Sequence, residues 1–548
     1  MPKVIIDDVE YEAKDGQTII EVADEHGINI PRFCYHPGLT VAGNCRICLV
    51  EVEKAPKPMI ACGTPVMDGM VVKTQSKLAR WSRQGVMEFL LLNHPLDCPI
   101  CDKAGECMLQ WYSVEHGPGR SRLVEEKNHF DKRVDIGEHI ILDQERCILC
   151  SRCVRFCDEI TGTSELGIFQ RSSDAVLNVV PGKRLDNHYS GCVTDICPVG
   201  ALTLKEFRFG ARVWFLEDTA TICPGCSRGC NVNVSVRDNE IARLLPRTNT
   251  NVNDYWMCDT GRLIYQELSE RGRMETPQVL DAGALQRAPW DRTAHAAWKL
   301  LHQTAERYGH GAVAAVASAR ATNEEIYLLR CLMNDLDGAE IAFPEHVQGE
   351  DDGILLNADR TPNQRGAAVL CGDEAVDGSA LQRIRAGIER GQVRALLVLD
   401  EDLPALEGWT DVPLERLDAL VVMGTFELPQ LLKRAQAQAV LPLAAWAEID
   451  GTYVNFQGRV QRLRAAVRTA GEARPGWRVL ADLRALAGHE ERYRSARDVM
   501  HEMSATVPAF QGLTYPSIGE GGLPLPDAQP SGAPEAEPAP DGGVKEPA

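Results

Sequence analysis

Cys147-Ile-Leu-Cys150-Ser-Arg-Cys153-Val-Arg-Phe-Cys157, answered forty residues later by Cys197-Pro198, is the stretch from which the rest of this 548-residue chain can be read. The C-x2-C-x2-C-x3-C run with a distant Cys-Pro is the spacing of thiolates that hold a [4Fe-4S] cluster. In paired arrangements of this kind the fourth cysteine of a run ligates the other cluster, so Cys147, Cys150 and Cys153 are expected to be completed by Cys197. Cys157 would then serve a second cluster. That cluster has no triplet of its own, because only Cys192 precedes Cys197, and Cys157 and Cys192 therefore read as buried free thiols.

Working outward, three further sets appear. Upstream, Cys34, Cys45, Cys48 and Cys62 place two thiolates in the tight Cys45-Arg-Ile-Cys48 loop and two on flanking segments, which suits a [2Fe-2S] cluster. Gly38 and Gly43 fit this reading, since backbone N–H groups near cluster sulfur need residues tolerant of unusual dihedrals. Next, His94-x3-Cys98-x2-Cys101-x5-Cys107 gathers three thiolates and one imidazole. On spacing alone this set could hold zinc equally well; as a [4Fe-4S] site, the imidazole removes one negative charge and raises the reduction potential. Downstream, Cys223-x2-Cys226-x3-Cys230 with Cys258 reads as another [4Fe-4S] site, structural zinc being its alternative.

Of the 19 cysteines, 17 precede Asp259, and only Cys331 and Cys371 follow, so a ligand-rich half is separated from an ordinary one. In a reduced cytosolic chain, close cysteines are metal ligands rather than disulfides. A formal charge of −20 argues against nucleic acid, whose phosphates need clustered Lys and Arg. The opening Met1-Pro2-Lys3-Val4, with Asp7, Asp8 and Glu10 close behind, lacks the character of a secretory signal. No apolar run is long enough to span a membrane.

Residues 3 to 13 read as a hairpin turning at Asp7-Asp8, followed by a helix capped by Thr18 and stopped at Gly27. Hairpin, helix and cysteine loop together suggest a β-grasp. From Ser76 to Asn93, Leu78, Trp81, Phe89 and Leu92 recur at helical spacing until Pro95 ends the helix, which delivers the chain to His94 and its cysteines. Val232, Val234 and Val236, then Ile241 and Leu244, alternate like a small sheet. Val313 to Ala317 reads as a buried strand followed by a helix from Asn323 to Leu336. The runs Ala395 to Leu399, Leu420 to Met423 and Ala439 to Leu443 look like further strands of one open parallel sheet. The segment 514–548, rich in Pro, Gly, Ala and Glu, is expected to be disordered. No phosphate loop, dinucleotide fingerprint or H-E-x-x-H is present, so no flavin or nucleotide is expected on this chain. Its chemistry reads as electron transfer alone, without a catalytic acid, base or nucleophile.

Taken in order, the four sets resemble those of the large iron-sulfur subunit of bacterial NADH-quinone oxidoreductase, respiratory complex I, over about residues 1 to 275. The later half is similar to the molybdopterin oxidoreductase fold, through Ala317-Ser-Ala-Arg320-Ala-Thr-Asn323-Glu-Glu and Gly451-Thr-Tyr-Val-Asn-Phe-Gln-Gly-Arg459. The resemblance implies a multidomain α+β then α/β architecture. Its parts are a [2Fe-2S] ferredoxin-like β-grasp domain at 1–77, a [4Fe-4S] domain with one histidine and three cysteine ligands at 78–118, a ferredoxin-like [4Fe-4S] domain at 119–215 and a molybdopterin-oxidoreductase-type [4Fe-4S] domain at 216–275. A degenerate molybdopterin-oxidoreductase-like α/β domain at 276–513 and the tail complete it. It also implies one [2Fe-2S] and three [4Fe-4S] clusters, no molybdenum, and electrons passed from a flavin-bearing NADH-oxidising subunit toward a quinone-reducing module, coupled in the assembled complex to proton translocation. The fourth cluster would lie off the main path. The chain would be a peripheral subunit on the cytoplasmic side of the inner membrane. Rival readings are a molybdenum-dependent formate dehydrogenase, with Cys371 its only conceivable metal ligand, and a hydrogenase-related subunit.

Overall fold

A computed structural model describes residues 1–338, 340–490 and 493–526. The chain divides into two units. The first comprises Met1–Ala220, Cys230–Glu267 and Asp351–Leu356, and the second Thr221–Gly229, Leu268–Glu350 and the chain from Asn357 onward.

In the first unit the hairpin forms as the sequence suggests. Strands Lys3–Ile6 and Val9–Glu12 pair antiparallel around Asp7 and Asp8, whose φ values of 47° and 70° make the left-handed two-residue turn that matches strand twist. The Asp7 carboxylate accepts from the Thr74 backbone N–H at 2.7 Å and from the Thr74 hydroxyl, which pins the turn to the strand Met70–Lys73. That strand runs parallel to Lys3–Ile6 in a five-stranded sheet completed by Leu49–Val52 and Met59–Ile60. Helix Ile19–Glu25 begins at a capping box in which Glu21 reaches back to Thr18, and it lays Ile19, Ile20 and Val22 into the same core as Val4, Ile6, Val50 and Val72. This is the expected β-grasp.

Helix Lys77–Leu91 is capped by Ser76, but the face it buries is Ala79, Arg83 and Met87. The apolar residues that signalled the helix point outward: Trp81 is 72% and Phe89 79% exposed, and Leu78 and Leu92 also face solvent. Periodicity reveals a helix; it does not say which face the neighbouring sheet covers.

Beyond it lie helix Met108–His116, a three-stranded sheet of Val134–Asp135, Ile140–Leu142 and Leu202–Leu204, helices Arg152–Glu159 and Cys192–Ile196, and a hairpin of Leu166–Phe169 and Val176–Val179. The alternating segment forms a three-stranded sheet of Glu217–Ile222, Asn231–Arg237 and Glu240–Pro246.

The second unit is built on a seven-stranded sheet. Ile341–Ala342, Val313–Ala317, Ala395–Leu399, Ala419–Gly424 and Ala439–Pro442 are parallel, and Gln278–Asp281 and Ala284–Arg287 close one edge antiparallel. Continuous apolar runs suit strands covered on both faces. Ala315, Leu397 and Val421 pack into one core and Val316, Val398 and Val422 into the other.

The expectation of disorder from residue 514 is corrected for 514–526; 527–548 lie outside the described residues. Helix Tyr515–Ile518 is capped by Thr514, and Leu523–Pro524 pairs with Arg459–Leu463 in a sheet shared with Gly451–Val454. Tyr515, Ile518 and Leu525 are buried, and the Tyr515 hydroxyl donates to the buried Glu324 carboxylate at 3.1 Å. Composition averaged over the segment hid these few anchors among Pro and Gly. No helix among the described residues is long and apolar enough to cross a membrane.

Candidate iron-sulfur centres

The first set comes together at the end of the β-grasp. Cys34, Cys48 and Cys62 are buried and Cys45 half-buried. The Cys34 backbone N–H donates to Cys45 Sγ at 3.4 Å, and Cys48 Sγ lies 3.5 Å from Cys62 Sγ. Hydrogen bonds from Cys45 and Cys62 pull the Cys34 thiol well below its usual range, and Cys62 brings Cys48 to about 7, while Cys45 and Cys62 are pushed up by those same bonds. Gly43 and Arg46 turn the loop at φ 60° each, and glycine suits that turn as expected. Gly38 has another reason: a Cβ there would stand 2.7 Å from the Tyr255 ring and 2.9 Å from the Trp256 ring. Behind the set, Arg83 is fully buried with all three guanidinium nitrogens unpartnered, and Cys48 is the strongest opposite charge it feels. A buried cation without partners is costly, and an anionic cluster would satisfy it.

The third set, Cys147, Cys150, Cys153 and Cys197, lines one cavity walled by Leu177, Val199 and Leu202. Leu149 and Ser151 adopt φ of 53° and 63°, and this kinked loop turns the Leu149 N–H onto Cys147 Sγ at 3.4 Å. Such a nest of N–H groups favours thiolate. Burial pushes Cys150 up to about 11 and Cys147 and Cys153 higher, so a metal bound by these thiols would have to displace their protons. Cys157 and Cys192 stand apart with partners of their own. Cys157 lies with the Glu165 carboxyl and is pushed up to about 12, chiefly by burial. Cys192 Sγ donates to the Met257 carbonyl at 3.1 Å.

In the second set, burial drives His94 down to about 4, leaving a neutral ring whose buried Nδ1 has no partner. A neutral imidazole keeps the lone pair that iron requires. Cys101 is buried, Cys107 half-buried and Cys98 exposed. Backbone 197–200 forms one wall: Cys107 Sγ points to the Pro198 carbonyl at 3.8 Å, and a Cβ at Gly200 would stand 2.3 Å from Cys101 Sγ. Asp97, beside Cys98, pairs at 2.7 Å with Arg146, which precedes Cys147.

In the fourth set, Cys223, Cys226, Cys230 and Cys258 are each buried. Cys223 and Cys226 belong to the segment Thr221–Gly229 counted with the second unit, and Cys230 and Cys258 to the first. The Gly261 N–H donates to Cys258 Sγ at 3.2 Å. Among the described residues no three His, Cys, Asp or Glu side chains close on one point as around a single ion. Ligands of a polynuclear cluster stand around its rim instead.

Within the first unit, segments of the first and third sets touch, and so do segments of the third and second. Asn44 Nδ2 donates to the Leu149 carbonyl at 3.3 Å, Arg155 donates to the Cys34 and Thr40 carbonyls, and the Thr40 N–H donates to Glu159 at 2.8 Å, joining the first set to the third. The wall 197–200 and the Arg146–Asp97 pair join the third to the second. The sequence reading missed these arginines; the signal was a basic residue next to or near a ligand cysteine in Arg146-Cys147, Arg152-Cys153 and Arg155.

Comparison with known proteins follows the same divisions. Family models match a 2Fe-2S iron-sulfur cluster binding domain at residues 3–77, the NADH-ubiquinone oxidoreductase-G iron-sulfur binding region at 83–122 and the NADH-quinone oxidoreductase subunit 3 ferredoxin-like domain at 137–203. Two more match the molybdopterin oxidoreductase Fe4S4 domain at 216–270 and molybdopterin oxidoreductase at 408–486. The chain is 40% identical over 366 residues to the NADH-ubiquinone oxidoreductase 75 kDa subunit of Reclinomonas americana, covering 66% of this chain and 52% of that one. It is 39% identical over 336 residues to the G subunit of NADH-quinone oxidoreductase from Rickettsia felis, covering 61% and 49%. It thus spans about half the length of these two relatives. With the mitochondrial NADH-ubiquinone oxidoreductase 78 kDa subunit of Neurospora crassa it shares 31% identity over 647 residues, covering 94% of this chain and 85% of that one. The chain belongs to the family formed by the G subunit of NADH-quinone oxidoreductase and the 75 and 78 kDa subunits of NADH-ubiquinone oxidoreductase.

Proposed function

We propose that this chain is the electron-carrying subunit of a complex I, taking electrons from a flavin-bearing NADH-oxidising subunit and passing them toward a quinone-reducing module, with proton translocation the work of the assembled complex. Iron-sulfur clusters supply one-electron redox chemistry when bound. The ligands would be Cys34, Cys45, Cys48 and Cys62 for one [2Fe-2S] cluster. Three [4Fe-4S] clusters would be held by His94, Cys98, Cys101 and Cys107; by Cys147, Cys150, Cys153 and Cys197; and by Cys223, Cys226, Cys230 and Cys258. The domain divisions at residues 77, 215 and 275 go with these assignments, and the family-model matches at 3–77 and 216–270 are in keeping with them; the last domain would run on to the strand Leu523–Pro524. The later α/β domain would dock partners without molybdenum, and the subunit would sit peripherally on the cytoplasmic side of the membrane.

The observation that carries this reading is the unbroken series of contacts between ligand-bearing segments, from the first set through the third to the second. The protein's own part is to hold the thiolates rigidly, exclude water with walls such as Leu177 and Leu202, and place buried arginines where electrons add negative charge. Low-temperature EPR of the anaerobically purified, dithionite-reduced chain tests this, with iron, sulfide, zinc and molybdenum counted on the same sample. One [2Fe-2S] and three [4Fe-4S] clusters without molybdenum are expected. Zinc without reducible clusters refutes the reading, and stoichiometric molybdenum moves it to a formate-dehydrogenase-like enzyme.

A further inference from the structure

Arg152 is the second residue of a Ser151-Arg152-Cys153 step, yet its side chain is buried, 7% exposed, and spans two centres. Its Nη1 donates at 3.0 Å to the carbonyl of Ile196, the residue before ligand Cys197. Its Nη2 donates to the carbonyl of Tyr35, the residue after ligand Cys34. Nε is buried without a partner. The opposite charges it feels most strongly are the thiols of Cys150 and Cys197 from the third set and of Cys34 and Cys45 from the first. Neighbouring Arg155 donates to the Cys34 and Thr40 carbonyls of the first set's loop and, through Nε, to Ser151 Oγ at 3.3 Å.

Arginine stays protonated in proteins, and burying its charge is costly unless something anionic compensates. Two carbonyl dipoles compensate in part. A cluster with four thiolates is anionic and gains one more negative charge on reduction, so a fixed cation beside it favours the reduced form.

We propose that Arg152 is a positioning residue shared by the first and third centres, a counter-cation that locks their ligand loops together and raises the reduction potential of both clusters. This rests on the assignment of iron-sulfur clusters to those two sets. Each terminal nitrogen of the guanidinium serves a different ligand loop, and its positive charge lies between them.

EPR-monitored redox titration of the full chain tests this, comparing wild type with R152Q and R152K and counting iron and sulfide on each. In R152Q both the [2Fe-2S] signal and the [4Fe-4S] signal of the third centre should shift to more negative potential at unchanged cluster content. The expected size is about a tenfold loss in each reduction equilibrium, about 59 mV for a one-electron couple. Wild-type midpoints in a fully loaded R152Q, or a shift of only one, overturn the proposal. If R152Q does not assemble its clusters, R152K decides: loaded clusters near wild-type midpoints support the proposal, and lost clusters or displaced midpoints overturn it. Absence of clusters from wild type would instead refute the cluster assignment itself.

Discussion

Gly200 lies where backbone that serves the third centre becomes the wall of the second. A Cβ there would stand 2.3 Å from Cys101 Sγ, with Lys103 Cβ at 3.2 Å and Arg146 Cδ at 3.6 Å on its other sides. Ordinary contact begins at 3.4 Å, so in G200A the Cys101 sulfur must retreat by about 1.1 Å. Ligand constellations need placement within ~0.5 Å, so the second cluster should be lost or spectroscopically altered. Gly200 is not among the glycines of positive φ, so alanine brings bulk without backbone strain. The overpacking should cost about 1–3 kcal/mol, too little to unfold a domain of ordinary stability, ~5–15 kcal/mol. The assay is iron and sulfide content with EPR of the reduced chain. Loss or change confined to the His94-Cys98-Cys101-Cys107 signal is expected, with the first and third signals kept. G85A is the control, because a Cβ at Gly85 meets nothing within 4 Å in helix Lys77–Leu91. It should keep every cluster and gain up to about 1 kcal/mol. A G200A chain with full iron and an unaltered second signal would refute the reasoning.

C157S and C192S should retain all clusters by iron count and EPR, whereas C153S and C197S should lose the third [4Fe-4S] signal; a lost cluster in either of the first pair would make that cysteine a ligand. Burial raises the Glu324 carboxyl from 4.5 to about 7. A raised folded-state value gives stability that is full below pH 4.5 and lost as pH rises through about 7, on the order of 3 kcal/mol. E324Q should flatten that decline in unfolding titrations between those pH values, and an unchanged slope would mean the carboxyl titrates normally. Truncation after Leu513 should destabilise the second unit, since Tyr515, Ile518 and Leu525 each contribute about 1.5–3 kcal/mol of burial. An unchanged denaturation midpoint would show that these anchors add nothing.

Much of the fold was legible because strong local chemistry met simple periodicity. Asp7-Asp8 specified a left-handed turn, Thr18 with Glu21 a helix start, and Ala395 to Leu399 a strand covered on both faces. Direction was less legible. Trp81 and Phe89 announced a helix yet face outward, while the polar Arg83 turns inward, because which face is covered depends on the β-grasp that it packs against. The grouping of Cys34, Cys45, Cys48 and Cys62, and of Cys147, Cys150, Cys153 and Cys197, was readable from spacing, since cysteines a few residues apart in one loop can reach a common core. The neighbourhood of each centre was not: the contacts of Asn44 with Leu149 and of Arg152 with Tyr35 join residues more than a hundred positions apart. No local pattern encodes such pairs.

The backbone 197–200 also makes one site depend on another. The first set closes within residues 34–62, inside a sheet that holds its own core, whereas the third must close the long loop from Cys153 to Cys197. Longer loops cost more entropy to close. The second set needs that closure already made, because Pro198 and Gly200 form its wall. Whatever opens the loop from Cys153 to Cys197 should therefore open the wall beside Cys101 and Cys107 with it.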